Sequence, residues 1–223
     1  MAFHVRHPLA LATQPGAATF SLLFFIESVA RASMATVLPL SAYALFGSKE
    51  AVSLVYTGVS MVALCLSFAI PVLVRRISRR WTYTLGCGLL MACGLMTWMQ
   101  TPPTLALALL ARTAASATLN ITLSLYIMDA IGKRDLARTE TLRFATSTLA
   151  WTLMPLAGVW LAQAYGIGAA CLVCIGAALV LMAVFWVLRL AEGGAIRPAR
   201  GLPAPRHNPV KAIRRFVAQP RLV

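Results

Sequence analysis

The chain has 223 residues, of which 60% are hydrophobic and only 12% are charged. A soluble domain carries about a quarter charged residues, and so few cannot cover a surface in water; with a mean hydropathy of +0.79, the composition excludes an ordinary soluble domain and points to lipid as the solvent. The formal net charge of +14 suits either a nucleic-acid binder or a membrane protein with basic loops, and the arrangement decides, because the charges stand in short clusters between long apolar runs and form no nucleic-acid-binding module.

Residues 1–19 hold no long apolar segment, and the first apolar run, opening at Phe20, is too long for a signal peptide. They are expected to form a retained cytoplasmic N-terminus. A spanning helix needs about 20 mostly apolar residues. Six runs qualify: 20–46, 51–74, 81–99, 104–128, 141–165 and 167–190. The spacing predicts an all-α integral membrane bundle over residues 20–190, with short connections that make consecutive helices antiparallel. Lipid demands that backbone polar groups be satisfied within each helix, and the runs lack the alternation of a transmembrane β-barrel.

Orientation follows from the short loops. Arg6, Arg75, Arg76, Arg79, Arg80, Lys133, Arg134, Arg138 and Arg143 fall on one side with the basic tail, against Lys49 on the other. Basic loops are retained in the cytoplasm, so both termini are expected there, in a cytoplasmic (inner) or plasma membrane. Residues 191–223 change character. Gly193, Gly194, Pro198, Pro203, Pro205 and Pro209 read as a flexible linker. Val210, Ile213, Phe216 and Val217 then share a helical face in a short basic amphipathic stretch suited to an anionic leaflet.

Charges inside a span cost roughly 2.5–3.5 kcal/mol each at the helix centre, so those retained there need a reason. Glu27 and Arg31 lie in the first run, and Arg112 in the fourth, with Asn120 as the main uncharged companion. Glu27 and Arg31 are four residues apart and share a helical face. Arg112 and Asn120 are two turns apart on roughly one face. Two readings stand: a polar cavity lined by helices one and four, or an ion pair that locks the two together. Pro39 and Pro155 each remove a backbone hydrogen bond and are expected to bend their helices. Cys171 and Cys174 form a CxxC, yet no histidine lies near it, so the five cysteines read as small packing residues. The chain has no membrane histidine, no paired intramembrane aspartates and no GxxxxGK[ST] loop. It is therefore read as a non-enzyme with no cofactor and no metal.

The loop after the second run reads Pro71-Val72-Leu73-Val74-Arg75-Arg76-Ile77-Ser78-Arg79-Arg80. It resembles the signature loop of the major facilitator superfamily, G-x-L-x-D-R-x-G-R-[RK]. Leu73, Arg76, Arg79 and Arg80 match, while Pro71, Arg75 and Ser78 replace Gly, Asp and Gly. Arg112, followed by small residues, is similar to the family's R-x-x-x-G-type stretch, and Pro155-Leu156-Ala157-Gly158 to its G-P-x-x-G-G pattern. Gly158 joins Pro39 and Pro155 as an expected bend on that ground.

The resemblance implies a six-helix half built of two inverted three-helix repeats, the N-terminal half of a secondary transporter working by alternating access. The implied partners are a small-molecule substrate, protons, the bilayer and a second six-helix half, in cis or as a homodimer, and no nucleic acid. Helices one and four would line the cavity, with Glu27 the candidate proton site beside Arg31 and Arg112 the candidate substrate contact. Leu73, Arg75, Arg76, Arg79 and Arg80 would form the cytoplasmic gate loop. Arg75 reverses the charge of the family's Asp, so the gate is expected to use a different partner. The alternative is a non-transporting six-helix scaffold, assembly factor or sensor, its charges serving as helix locks.

Overall fold

The structure, a computed structural model, describes residues 17–130 and 133–191. Those residues form seven helices and no strand: α1 Ala17–Ser33, α2 Val37–Phe46, α3 Lys49–Ile77, α4 Arg79–Trp98, α5 Pro102–Ala130, α6 Lys133–Tyr165 and α7 Ile167–Ala191. The N-terminal segment up to residue 16 and the amphipathic tail lie outside the described residues.

The first predicted run is two helices. Pro39 has no N–H, and its ring crowds the carbonyl four residues back, at Ala35. The helix therefore breaks one turn before the proline, at residues 34–36, where Ala35 N–H turns back to the Ala32 carbonyl at 3.0 Å. α2 ends at Gly47, whose φ of 69° lets its N–H reach the Tyr43 carbonyl. Ser48 then caps α3 by accepting from the Ala51 N–H at 3.2 Å. Gln100 joins α4 to α5, its side-chain amide donating to the Thr97 carbonyl at 2.6 Å.

One expectation needs correction. Residues 133–140, read from the sequence as a basic loop, are the first two turns of α6. A helix can run past the apolar zone because water satisfies its end groups there, and this stretch has neither Gly nor Pro. The expectation of six spans is met in part. Five are long and apolar enough to cross a membrane: Ala18–Phe46, Lys49–Ile70, Pro102–Met128, Thr139–Tyr165 and Ile167–Leu188. α4 has 20 residues but is diluted by Arg79, Arg80, Thr82, Thr84, Thr97 and three glycines. It lies packed against α5 and α7, which lowers its need for apolar side chains. At Gly86 a Cβ would come within 2.7 Å of Leu119, so the glycine lets α5 close in.

The bundle's hydroxyls are mostly spent on their own helices. Thr97, Thr118 and Thr122 each donate to the carbonyl four residues back at 2.7 Å. This satisfies a buried hydroxyl without a partner helix. The core divides into two clusters along the helices. One holds Phe20, Tyr83, Leu90, Ala115, Leu119 and Phe185. The other holds Met34, Leu38, Cys93, Leu105, Ala111 and Cys174.

Candidate functional site

The two clusters meet between Ala30 on α1 and Met34 in the turn that follows it, and between Ala111 and Ala115 on α5. Arg31 and Arg112 sit at that level, sandwiched by apolar layers. Glu27 lies one turn away and is wholly buried. Arg31 Nη1 donates to Glu27 Oε1 at 2.9 Å, forming the pair expected from the four-residue spacing. Arg112 Nη2 donates to the backbone carbonyl of Arg31 at 3.2 Å. This bond joins α5 to α1 just before the break at 34–36, where intrahelical donors run short.

The cluster is incompletely satisfied. Glu27 Oε2, Arg31 Nε, Arg112 Nε and the Tyr56 hydroxyl are buried and have no hydrogen-bond partner. Buried polar atoms are nearly always paired, so these atoms, with Ser28 Oγ, Tyr83 Oη and Arg143 Nε, are hydrogen-bonding capacity that the described residues do not use. Arg31 also lies 5.9 Å from the centroid of the Trp151 ring, a cation–π contact across to α6. Asn120 is half-buried and is not among the residues that bond to Glu27, Arg31 or Arg112.

A second cationic centre escaped the sequence reading. Arg143 looked like a loop charge near a helix end, yet it is 6% exposed. Its guanidinium carbon lies 4.2 Å from the centroid of the Phe24 ring. Its Nη1 donates to Glu140 at 2.7 Å, and it acts on Glu27 by charge as well. The signal available was the three-residue spacing of Glu140 and Arg143. Nothing in the sequence pointed to Tyr56 or Trp151.

The break in α1 faces a matching feature in α6. Thr36 Oγ1 donates to the Pro155 carbonyl at 2.9 Å. A Cβ at Gly158 would collide with the Ser33 carbonyl. Gly158 therefore permits close helix approach within an α6 that runs continuously from Lys133 to Tyr165. Below this contact an apolar groove of about 380 Å³ runs between α1 and α6, lined by Ser21, Leu22, Phe25, Leu142, Thr146 and Leu149 among others. None of Glu27, Arg31, Arg112 and Asn120 lines it.

In the α3–α4 turn, Arg76 and Arg80 are exposed and Leu73 is half-buried, while the side chain of Arg75 lies outside the described residues. Arg79 is partly buried and engaged. Ser78 takes φ 82° and ψ 151°, a region almost reserved for glycine. It is the position at which the signature loop carries Gly.

A helical bundle with buried charges between apolar layers, built from five membrane-length spans, is an integral membrane protein. A family model described as Major Facilitator Superfamily matches residues 20–223. The chain belongs to that superfamily, whose members are transporters of small molecules across membranes, not enzymes. No curated protein matches the chain, and no solved structure does.

Proposed function

We propose that the chain is half of a secondary active transporter that moves a small solute by alternating access, with Glu27 as a proton-carrying group and Arg112 as a contact for the solute. The observation that carries this reading is the Glu27–Arg31–Arg112 cluster, which joins α1 to α5 and leaves buried polar atoms without partners. A purely structural lock would be cheaper in apolar side chains. Six spans in two inverted repeats fit the packing, with α1 and α2 counted as one span and α4 as the third. Exchanging the first three spans for the last three turns the α1–α6 contact into α5–α3 and α4–α5 into α7–α1, and leaves α4–α7 unchanged. All of these are major contacts. The basic loops favour cytoplasmic termini, the α3–α4 turn then facing a second half, in cis or from another copy, as the gate loop.

Liposomes containing the full protein and a trapped pH dye test the reading. A panel of sugars, amino acids, carboxylates and amphiphilic amines is added outside. One class is expected to shift lumenal pH, and Glu27→Gln to abolish the shift. Uptake driven undiminished by a pH gradient in Glu27→Gln would remove the proton role.

One observation favours the scaffold reading: Arg112 reaches a backbone carbonyl, as a helix lock does. Under that reading Arg112→Ala lowers the unfolding temperature and no solute in the panel moves with the native protein.

A further inference from the structure

We infer that the solute held at this cluster is an organic monoanion, bound by its carboxylate between the guanidinium groups of Arg31 and Arg112. The inference rests on the transport reading above and names the substrate class for the same site.

The first argument is charge. Arginine stays protonated in proteins, so the cluster holds two cations against the single carboxylate of Glu27. Arg31 and Arg112 repel one another across this gap. The groups that act on Arg112 from the surrounding helices are the thiols of Cys93 and Cys174 and the phenol of Tyr56, none of which is a carboxylate. Arg143, the nearby third cation, already has Glu140 and the Phe24 ring. Among the described residues one positive charge of this partly buried pair therefore has no counter-charge, a cost that a bound anion removes. A single surplus charge fits a monoanion better than a phosphate dianion, and it repels a cation.

The second argument is the donor inventory. Arg31 Nε, Arg112 Nε and Tyr56 Oη are buried donors without acceptors, supplied by α1, α5 and α3. A guanidinium fork matches a carboxylate in geometry and charge. A sugar or other neutral polyol would bring donors of its own to a place already rich in them. The Trp151 ring beside Arg31 gives an apolar flank suited to the carbon skeleton of such an acid. Glu27 competes with the solute for Arg31, which sets the sign of one variant's effect.

The test is binding to the full protein in neutral detergent at constant ionic strength, read by tryptophan fluorescence and thermal stabilisation. The probes are benzoate, benzamide and benzylammonium, matched in size and differing in charge. Benzoate is expected to bind at least about tenfold more tightly than either analogue, a difference of about 1.4 kcal/mol. Arg112→Gln, Arg31→Gln and Tyr56→Phe are each expected to weaken benzoate about tenfold or more, on the scale of hydrogen bonds to a charged group, and Arg112→Lys less. Glu27→Gln is expected to tighten benzoate, a change that a structural role for the pair would not produce. Equal binding of benzamide, preference for benzylammonium, or no saturation by benzoate up to its solubility overturns the inference. Binding is read without a membrane gradient, so the two readings fail separately. A protein that binds benzoate and moves no solute loses the transport reading alone. One that moves a neutral or cationic solute and ignores benzoate loses the anion site alone.

Discussion

The α1–α6 seam and the α4–α7 seam are both helix pairs within one bundle, and they use opposite means. Along α4–α7, Tyr83 stacks on Phe185 with centroids 4.2 Å apart, and Trp81 meets Trp186 edge-on at 5.9 Å. Trp186 Nε1 donates to Thr84 Oγ1 at 3.2 Å, and the Cys174 thiol donates to the Leu90 carbonyl at 3.7 Å. Along α1–α6 the contacts are Arg143 on Phe24, Arg31 on Trp151, Thr36 on the Pro155 carbonyl and Gly158 against Ser33. The first seam is aromatic and closed. The second is cationic and interrupted, by the turn at 34–36 on one side and, within the continuous α6, by the backbone bond that Pro155 cannot donate on the other. A bundle that only had to be stable could use the first kind of seam throughout. The second kind concentrates charge and missing backbone bonds where two helices touch.

The largest expected effect breaks the charged side of this contrast. Glu27→Leu leaves Arg31 inside the bundle without its carboxylate and is expected to cost about 3–5 kcal/mol. The double variant Glu27→Leu/Arg31→Met is expected to recover most of that stability and none of the transport. Unfolding followed by tryptophan fluorescence decides, and a double variant as unstable as the single one would mean that the pair is not self-contained. Next, Phe185→Ala opens the aromatic seam at a cost of about 3 kcal/mol, with flux per folded molecule unchanged. A lost flux there would erase the functional difference between the seams.

Smaller changes sharpen the comparison. Thr36→Val removes the hydroxyl that bonds to the Pro155 carbonyl and is expected to cost about 1 kcal/mol. Its effect on uptake rate is expected to exceed its effect on unfolding temperature, because the bond ties the break at 34–36 to the proline of α6. Ser78→Gly, at the entrance to α4, is the one change expected to stabilise. Relief of the strained backbone is partly offset by the entropy of glycine, for a net gain of about 1 kcal/mol or less. The Ser78 side chain does not cap the helix it precedes, so nothing is lost with it. Thermal unfolding that moves downward in Ser78→Gly would show that the hydroxyl has a use.

Span positions and the buried Glu27–Arg31 pair were legible because both are local: apolar runs and a four-residue spacing are written in consecutive residues. The consequence of Pro39 was legible as well, although the break falls a turn earlier, where the proline ring meets the carbonyl before it. Long-range contacts were not. That Arg112 would reach the Arg31 carbonyl, that Trp151 would lie beside Arg31, and that Gly158 would admit the Ser33 carbonyl depend on how α1, α5 and α6 cross. Arg143 was hidden by its place near the start of a span, a position usually solvated, and only the Phe24 ring and Glu140 make its burial tolerable. Asn120 shares a face with Arg112, yet it is not among the residues hydrogen-bonded to Glu27, Arg31 or Arg112. α4 was counted as a span by length, yet its polar content is tolerated by its neighbours.

The length of α6 has a mechanical consequence. Its 33 residues reach about 50 Å at 1.5 Å per residue, well beyond an apolar core of about 30 Å. Pro155 lies near one end, so about 33 Å of stiff rod extends from it to Lys133. A tilt of about 10° at the proline sweeps the far tip through about 6 Å, taking the same rise per residue. In an alternating-access cycle such a tilt would make the helix a lever with its fulcrum at the Thr36 bond, and a small adjustment beside the charged cluster would be magnified at the basic end of the rod.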